Sequence, residues 1–280
     1  MTLHLVGAQA AEHIRAFLAE DIGAGDITTA AVVPEGASGK ARIEARTELV
    51  VAGLPFAGMC FALLDDRTTW SPLVDESHYA GAGDVLARVE GSLATILTAE
   101  RTALNLLMRL SGIATATRSY VDAVSGTKAQ IVDTRKTTPG LRMFEKYAVE
   151  VGGGHNHRLG LYDAILIKDN HVEAAGGIGT AVKAARNRYP DDIVVQVEVT
   201  NLTELDEALE AGATAILLDN MTPDVVREAV EKTAGAAVLE ASGGITLENV
   251  RSYAETGVDR ISVGALTHSA AAVDIALEVE

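Results

Sequence analysis

The chain of 280 residues is 48% hydrophobic and 22% charged, which excludes a disordered polypeptide and allows roughly three quarters of the unfolded surface to be buried. With 39 acidic against 23 basic residues the net charge is −16, which argues against nucleic acid or anionic membrane as the main partner, because those are held through clustered Lys and Arg. Residues 101–168 run against this average, with ten Lys or Arg and five Asp or Glu, a basic island suited to small, highly charged anions.

In chain order, the opening Met1-Thr2-Leu3-His4 lacks the basic and apolar regions of a secretion signal. Lys40 to Arg46 alternates, with Ala41, Ile43 and Ala45 on one face and charged residues on the other, the signature of a half-buried antiparallel strand. The longest uncharged stretch, Leu49 to Leu64, carries Gly53, Pro55 and Gly58 and is too short for a membrane span, which needs about 20 apolar residues; it reads as strand, turn and buried helix. It holds Cys60, the single cysteine. An internal disulfide is therefore excluded, and a reducing, cytoplasmic location is expected. Val85 to Glu90 reads as a further strand.

From Leu93 to Val124 the period becomes helical, with a break expected at Ser111-Gly112. Six short apolar runs then alternate with helices: Ala129–Val132, Ala164–Ile167, Ile193–Val197, Ala215–Leu218, Ala237–Leu239 and Ile261–Val263. Helix starts are marked by Asn201 with Glu204, by Thr222 before Pro223, and by Thr246; Gly212 and Gly257 mark stops. Strand then helix, six times over, predicts a parallel sheet with crossover helices, closed into an open or incomplete TIM-like α/β barrel, since eight repeats are usual. The expected organisation is an N-terminal α/β domain over residues 1–100, a barrel over 101–272, and a final strand at about 273–280 returning to the first domain.

In such barrels the active site lies at the carboxyl ends of the strands. The six runs are followed by Asp133-Thr134-Arg135-Lys136-Thr137-Thr138, Lys168-Asp169-Asn170-His171, Glu198, Asp219-Asn220, Ser242-Gly243-Gly244 and Gly264. Polar residues also mark where buried strands surface, but six strand ends together argue for a wet, charged cleft. Ser242-Gly243-Gly244, between a strand and a helix expected from Thr246, suits a phosphate. Glu198 and Asp219 either hold Mg²⁺ through water, stabilise positive charge on a sugar carbon, or cap helices. Gly152-Gly153-Gly154 delivers His155, His157 and Arg158 together; a zinc site would be the alternative, but no Cys or HExxH pattern accompanies it. With Arg101, Arg135, Lys136 and Lys168 the set suits carboxylates and phosphates. Dinucleotide and P-loop fingerprints fail on context.

These residues carry a resemblance. Glu20 to Thr29 (EDIGAGDITT), Glu100 to Asn105 (ERTALN), Asp133 to Gly140 (DTRKTTPG), His155 to Leu161 (HNHRLGL), Ile167 to His171 (IKDNH), Leu218 to Asn220 (LDN) and Glu240 to Gly244 (EASGG) resemble, in order, the signatures of the quinolinate phosphoribosyltransferase family, also called carboxylating nicotinate-nucleotide pyrophosphorylases. The resemblance implies an N-terminal α/β sandwich, an open barrel, and a homodimer with shared active sites. It implies Mg²⁺ and the reaction of quinolinate with phosphoribosyl pyrophosphate to give nicotinate mononucleotide, pyrophosphate and CO₂ in NAD biosynthesis. Residue by residue it implies that Arg135, His157, Arg158, Lys168 and Arg101, with Thr134, bind quinolinate, Arg101 and Arg46 acting across the dimer interface. Lys136 would meet the phosphoribosyl donor near the reacting centre, Glu198 and Asp219 the ribose hydroxyls and metal, and Ser242-Gly243-Gly244 with Val263-Gly264-Ala265 the 5′-phosphate. Two alternatives remain open here: a relative binding another small anion, such as the branch associated with molybdate transport, and a Schiff-base lyase using Lys136 or Lys168.

Overall fold

The computed structural model describes residues 3–189 and 193–280, with side chains from residue 8. Met1 and Thr2, part of the opening segment read for a leader, lie outside the described residues. The elements in chain order are α1 (Leu3–Ile22), α2 (Ile27–Val32), β1 (Ser38–Ala45), β2 (Leu49–Val50), α3 (Leu54–Leu64), β3 (Thr69–Pro72), β4 (Tyr79–Ala80), β5 (Val85–Ser92) and α4 (Leu93–Ala123). The second half alternates β6 (Gln130–Val132), α5 (Arg142–Val151), β7 (Ile165–Ile167), α6 (Asp169–Ala175), α7 (Ile178–Arg188), β8 (Val195–Val199) and α8 (Leu202–Glu210). It continues with β9 (Ala215–Asp219), α9 (Pro223–Thr233), β10 (Val238–Ser242), α10 (Val250–Ala254), β11 (Arg260–Ser262), α11 (Ala265–His268) and β12 (Ile275–Val279).

Two compact units result, one of Met1–Ala116, Met143–Gly152 and Ala270–Glu280, the other of Thr117–Arg142 and Gly153–Ser269. The division falls within α4 and not at residue 100, and most of α5 groups with the first unit although it lies between barrel strands in sequence.

In the first unit an antiparallel sheet runs in the order β12-β1-β5-β3. The alternation of β1 buries Ala41, Ile43 and Ala45, and β12 pairs with it from Ala41↔Val279 to Ala45↔Ile275. Helix α1 buries Ala10, Ile14 and Leu18, the four-residue spacing that puts one stripe toward a core. Phe56 stacks edge-on to Phe144 and Tyr147, both ring pairs 4.9 Å apart. Buried Cys60 has its thiol pushed up to about 12 by burial, so it stays protonated and inert.

Helix α4 runs 31 residues without the break expected at Ser111-Gly112. The Ser-Gly pair is there for packing: Ser111 Oγ bonds both the N–H and the carbonyl of Ala52, and a Cβ on Gly112 would lie 2.1 Å from the Ala271 carbonyl oxygen. A residue that reads as a helix breaker is what lets another backbone segment touch the helix.

The second unit carries six parallel strands in the order β6-β11-β10-β9-β8-β7. Among the described residues ladder hydrogen bonds stop at β6 and β7, and only a bridge between Val132 and His155 follows β6, so the α/β barrel is open. Its helices start as their sequences direct: Asn201 accepts from the N–H groups of Thr203 and Glu204, and Thr222 precedes Pro223 at the first turn of α9. Helix α10 begins at Val250, later than Thr246 suggested. Asn249 is its N-cap residue; the Asn249 Oδ1 accepts from the Thr246 N–H and its Nδ2 donates to the Gly244 carbonyl, which ties together the turn ahead of the helix.

Candidate active site

The strands run slightly past the apolar runs, so Asp219 and Ser242 close β9 and β10 and Glu198 is the last residue but one of β8. Because side chains alternate along a strand, Val197, Ile216, Leu218, Leu239 and Ala241 take one buried face. Leu166, Glu198, Leu217, Asp219, Glu240, Ser242 and Ser262 take the other. That second face lines a cavity of about 750 Å³ at the carboxyl ends of the strands, together with Thr134, Arg135, Lys136, His157, Arg158, Lys168, Gly243, Gly244, Gly264, Ala265 and His268.

One wall is cationic. Arg135 and Arg158 stand close enough for burial, and then the charge of Arg135, to hold the Arg158 guanidinium below its ordinary value. Arg158 reaches the Ala164 carbonyl at 3.2 Å, while Arg135 Nε is buried without a hydrogen-bond partner. Two guanidiniums side by side are costly until an anion comes between them, and bidentate forks are made for carboxylates. The opposite edge is acidic: Glu198 Oε2 meets Lys168 Nζ at 3.0 Å, and Asp219 Oδ2 accepts from Asn220 Nδ2 at 2.7 Å. Strand register puts Asp219 one pleat beyond Leu217, which faces Glu198, so the two carboxylates rise on the same wall.

The glycine turn after β10 is shaped by Asn220. A Cβ on Gly243 would lie 2.2 Å from Asn220 Oδ1, and Gly243 and Gly244 have φ of +97° and +62°. Successive residues of this kind turn backbone N–H groups toward one point and form an anion nest. The nest, and not a helix beginning at Thr246, is what fits a phosphate here. Lys136 is exposed, with its N–H on Thr134 Oγ1 at 3.0 Å and its carbonyl accepting from Thr267 Oγ1 at 2.8 Å.

The expected site residues of the barrel thus converge, with Val263 as the buried residue before Gly264. Arg46 and Arg101 belong to the first unit and do not line the cavity. Arg46 is held by Glu44 and Glu278; Arg101 is exposed beside Glu100 at 3.6 Å.

Beneath the mouth lies a polar layer that sequence reading passes over. Fully buried Glu240 accepts from Ser262 Oγ and from Gln196 Nε2, Gln196 Oε1 meets His157 Nε2 at 3.0 Å, and Asp133 Oδ1 accepts the His157 N–H at 2.8 Å. His268, across Gly264 from Lys136, was likewise not singled out. The signal for the layer was the two-residue alternation of Gln196 with Glu198 and of Glu240 with Ser242.

Family models described as quinolinate phosphoribosyl transferase, N-terminal domain and C-terminal domain, match residues 26–111 and 113–278. The chain belongs to the quinolinate phosphoribosyltransferase family. It is 45% identical over 278 residues to the nicotinate-nucleotide pyrophosphorylase (carboxylating) of Mycobacterium leprae, covering 96% of this chain and 97% of that one. It is 40% identical to quinolinate phosphoribosyltransferase (decarboxylating) 2a of Nicotiana tabacum, over 94% of this chain and 80% of that one. The solved structure of the nicotinate-nucleotide pyrophosphorylase from Francisella tularensis superposes with a TM-score of 0.93 at 41% identity, covering 98% and 96% of the two chains.

The chain is therefore an enzyme, a pentosyltransferase that moves the phosphoribosyl group of phosphoribosyl pyrophosphate to quinolinate with decarboxylation in de novo NAD synthesis. A Schiff-base lyase is set aside on the same grounds, and Lys168 is exposed and paired with Glu198, not buried in the apolar pocket that activates an amine nucleophile. Among the described residues no helix is long and apolar enough to cross a membrane.

Proposed function

We propose that the cavity at the barrel mouth carries out this reaction, with the two faces of the cavity dividing the work. Arg135 and Arg158, with Lys168 and Thr134 around them, receive the two carboxylates of quinolinate and aim its ring nitrogen at the sugar, while His157 stands beside Arg158. The observation that carries this reading is the adjacency of the two guanidiniums on the wall of the cavity. Ser242, Gly243, Gly244, Val263, Gly264 and Ala265 hold the 5′-phosphate, which places the ribose between the nest and Glu198 and Asp219.

As pyrophosphate leaves, C1 of the ribose takes on positive charge, and fixed carboxylates beside it stabilise that charge more than they would in water. Lys136, exposed at the cavity, meets the departing pyrophosphate. The ring nitrogen bonds to C1 as the C1–O bond breaks. The adjacent ring carbon then loses CO₂, its electron pair held beside the cationic nitrogen, and takes up a proton.

Among the described residues no group of three or more His, Cys, Asp or Glu comes together to cage a metal. Two carboxylates on one wall suit a Mg²⁺ ion that keeps water and phosphate ligands; Glu198 and Asp219 are the residues that would hold it. Bound there, Mg²⁺ would neutralise charge on the pyrophosphate. The proposed assembly is a homodimer in which Arg101, exposed on α4, serves the partner's site. Arg46 can do so only by releasing Glu44 and Glu278. The cytoplasmic location is proposed from cysteine usage.

Calorimetric titration with quinolinate tests the carboxylate clamp. Arg135→Ala or Arg158→Ala is expected to weaken binding by roughly 2–4 kcal/mol, since each leaves a desolvated carboxylate unpaired. Affinity within about twofold of the parent would contradict the assignment.

A further inference from the structure

We propose that His157 acts as a positioning residue, locked in its Nε2–H tautomer by a buried relay anchored at Glu240, and that it fixes Arg158 instead of donating to the dicarboxylate. This rests on the reading above that Arg158 grips quinolinate.

Both ring nitrogens of His157 are already assigned. Nδ1 lies 2.7 Å from the backbone nitrogen of Arg158. A backbone N–H only donates, so Nδ1 accepts and carries no proton. The ring proton is then on Nε2, which meets Gln196 Oε1 at 3.0 Å. The Gln196 amide cannot turn over freely, because its Nε2 donates to Glu240 Oε2 at 3.1 Å. Reversal would set carbonyl oxygen against carboxylate and NH₂ against the ring N–H. The other Glu240 oxygen accepts the Ser262 hydroxyl, so donors occupy both sides of the carboxylate.

The direction of every bond follows from that one acceptor: Glu240 orients Gln196, Gln196 Oε1, with Glu240 Oε1 3.6 Å from the same Nε2, selects the tautomer, and the tautomer presents a lone pair to the Arg158 amide. The His157 main chain is pinned separately by its N–H to Asp133 Oδ1. Glu240, Gln196 and Ser262 are 0%, 6% and 5% exposed. Burying a carboxylate there is costly unless its lone pairs are used. Here they are used by groups that lead, link by link, to the arginine at the cavity wall. A hydrogen-bonded network of this kind specifies one geometry, and the imidazole has no N–H left for a substrate carboxylate.

Nitrogen NMR of histidine-labelled wild-type enzyme tests the lock directly, with His157 assigned by the loss of its signals in His157→Gln. The expected spectrum has an unprotonated Nδ1 and a protonated Nε2. Glu240→Gln, whose amide can present either oxygen or NH₂ to Gln196, is expected to mix the tautomers and to raise KM for quinolinate about tenfold, while KM for phosphoribosyl pyrophosphate stays within about twofold. If that variant does not fold, Gln196→Leu, which removes the nearer acceptor of the Nε2 proton and leaves Glu240 Oε1 at 3.6 Å, carries the same expectation. A wild-type imidazole protonated on Nδ1, or an unchanged spectrum and KM in the variant, overturns the relay. Arg158→Ala separates the two readings: retained quinolinate affinity there overturns the clamp itself, whereas lost affinity together with the wrong tautomer overturns the relay alone.

Discussion

Lys168, just past β7, and Glu198 of the neighbouring strand β8 form an ion pair of 3.0 Å, which joins the group assigned to quinolinate to one assigned to the ribose. The pair holds both side chains over the cavity and keeps opposite charges adjacent before any ligand divides them. Its members should nevertheless fail differently. Glu198→Gln preserves volume but removes negative charge from beside C1, so kcat is expected to fall about 10²-fold, with KM for quinolinate little changed. Steady-state kinetics with each substrate varied checks this. An unchanged kcat would remove Glu198 from the chemistry.

Gly243 and Gly244 look interchangeable in sequence and are not so in space. A Cβ on Gly243 would collide with Asn220 Oδ1, whereas one on Gly244 meets nothing within 4 Å. Gly244→Ala should therefore show only the backbone strain of a left-handed residue, about 1–2 kcal/mol. Gly243→Ala must also displace Asn220, and with it the partner of Asp219. The expected result is a lower melting temperature and a higher KM for phosphoribosyl pyrophosphate in Gly243→Ala than in Gly244→Ala; equal effects would contradict the nest geometry.

Glu76 gives the fold a pH dependence of known sign. Its carboxylate accepts from the Gly53 and Leu54 N–H groups and from the Tyr147 hydroxyl, yet burial outweighs these and holds it above the ordinary value of 4.5. The folded state therefore binds this proton more tightly than the unfolded chain. The contribution to stability is full below 4.5 and is lost as pH rises through the elevated value. Urea unfolding of wild type and Glu76→Gln should show the wild type losing stability relative to the variant from acid to neutral pH. A constant difference, or the opposite slope, would contradict it.

The parallel sheet is legible in the sequence because strands buried on their outer face must be apolar in succession, and because helix caps such as Asn201 and Thr222 are local hydrogen bonds that need no tertiary context. Glu198, Asp219 and Lys168 are legible for a related reason: charge straight after an apolar run must face water or a ligand. Gln196 escapes that test because it sits inside its run, and Glu240, directly after Leu239, is fully buried and does not surface; the alternation with Glu198 and Ser242 is what betrays them. Ser111-Gly112 misleads because a close approach by distant backbone, here Ala271, leaves the same residue preference as a helix break. Which unit α5 joins is decided by Phe144 and Tyr147 packing on Phe56, a contact between residues far apart in the chain.

Release of labelled CO₂ from quinolinate carrying the label in its 2-carboxylate tests the account most directly. Well-folded enzyme with Mg²⁺ is expected to release label only when phosphoribosyl pyrophosphate is also present, with nicotinate mononucleotide and pyrophosphate formed in equal amounts, and Arg158→Ala is expected to need far more quinolinate for the same rate. Release without the phosphoribosyl donor, or no release with both substrates present, would contradict it.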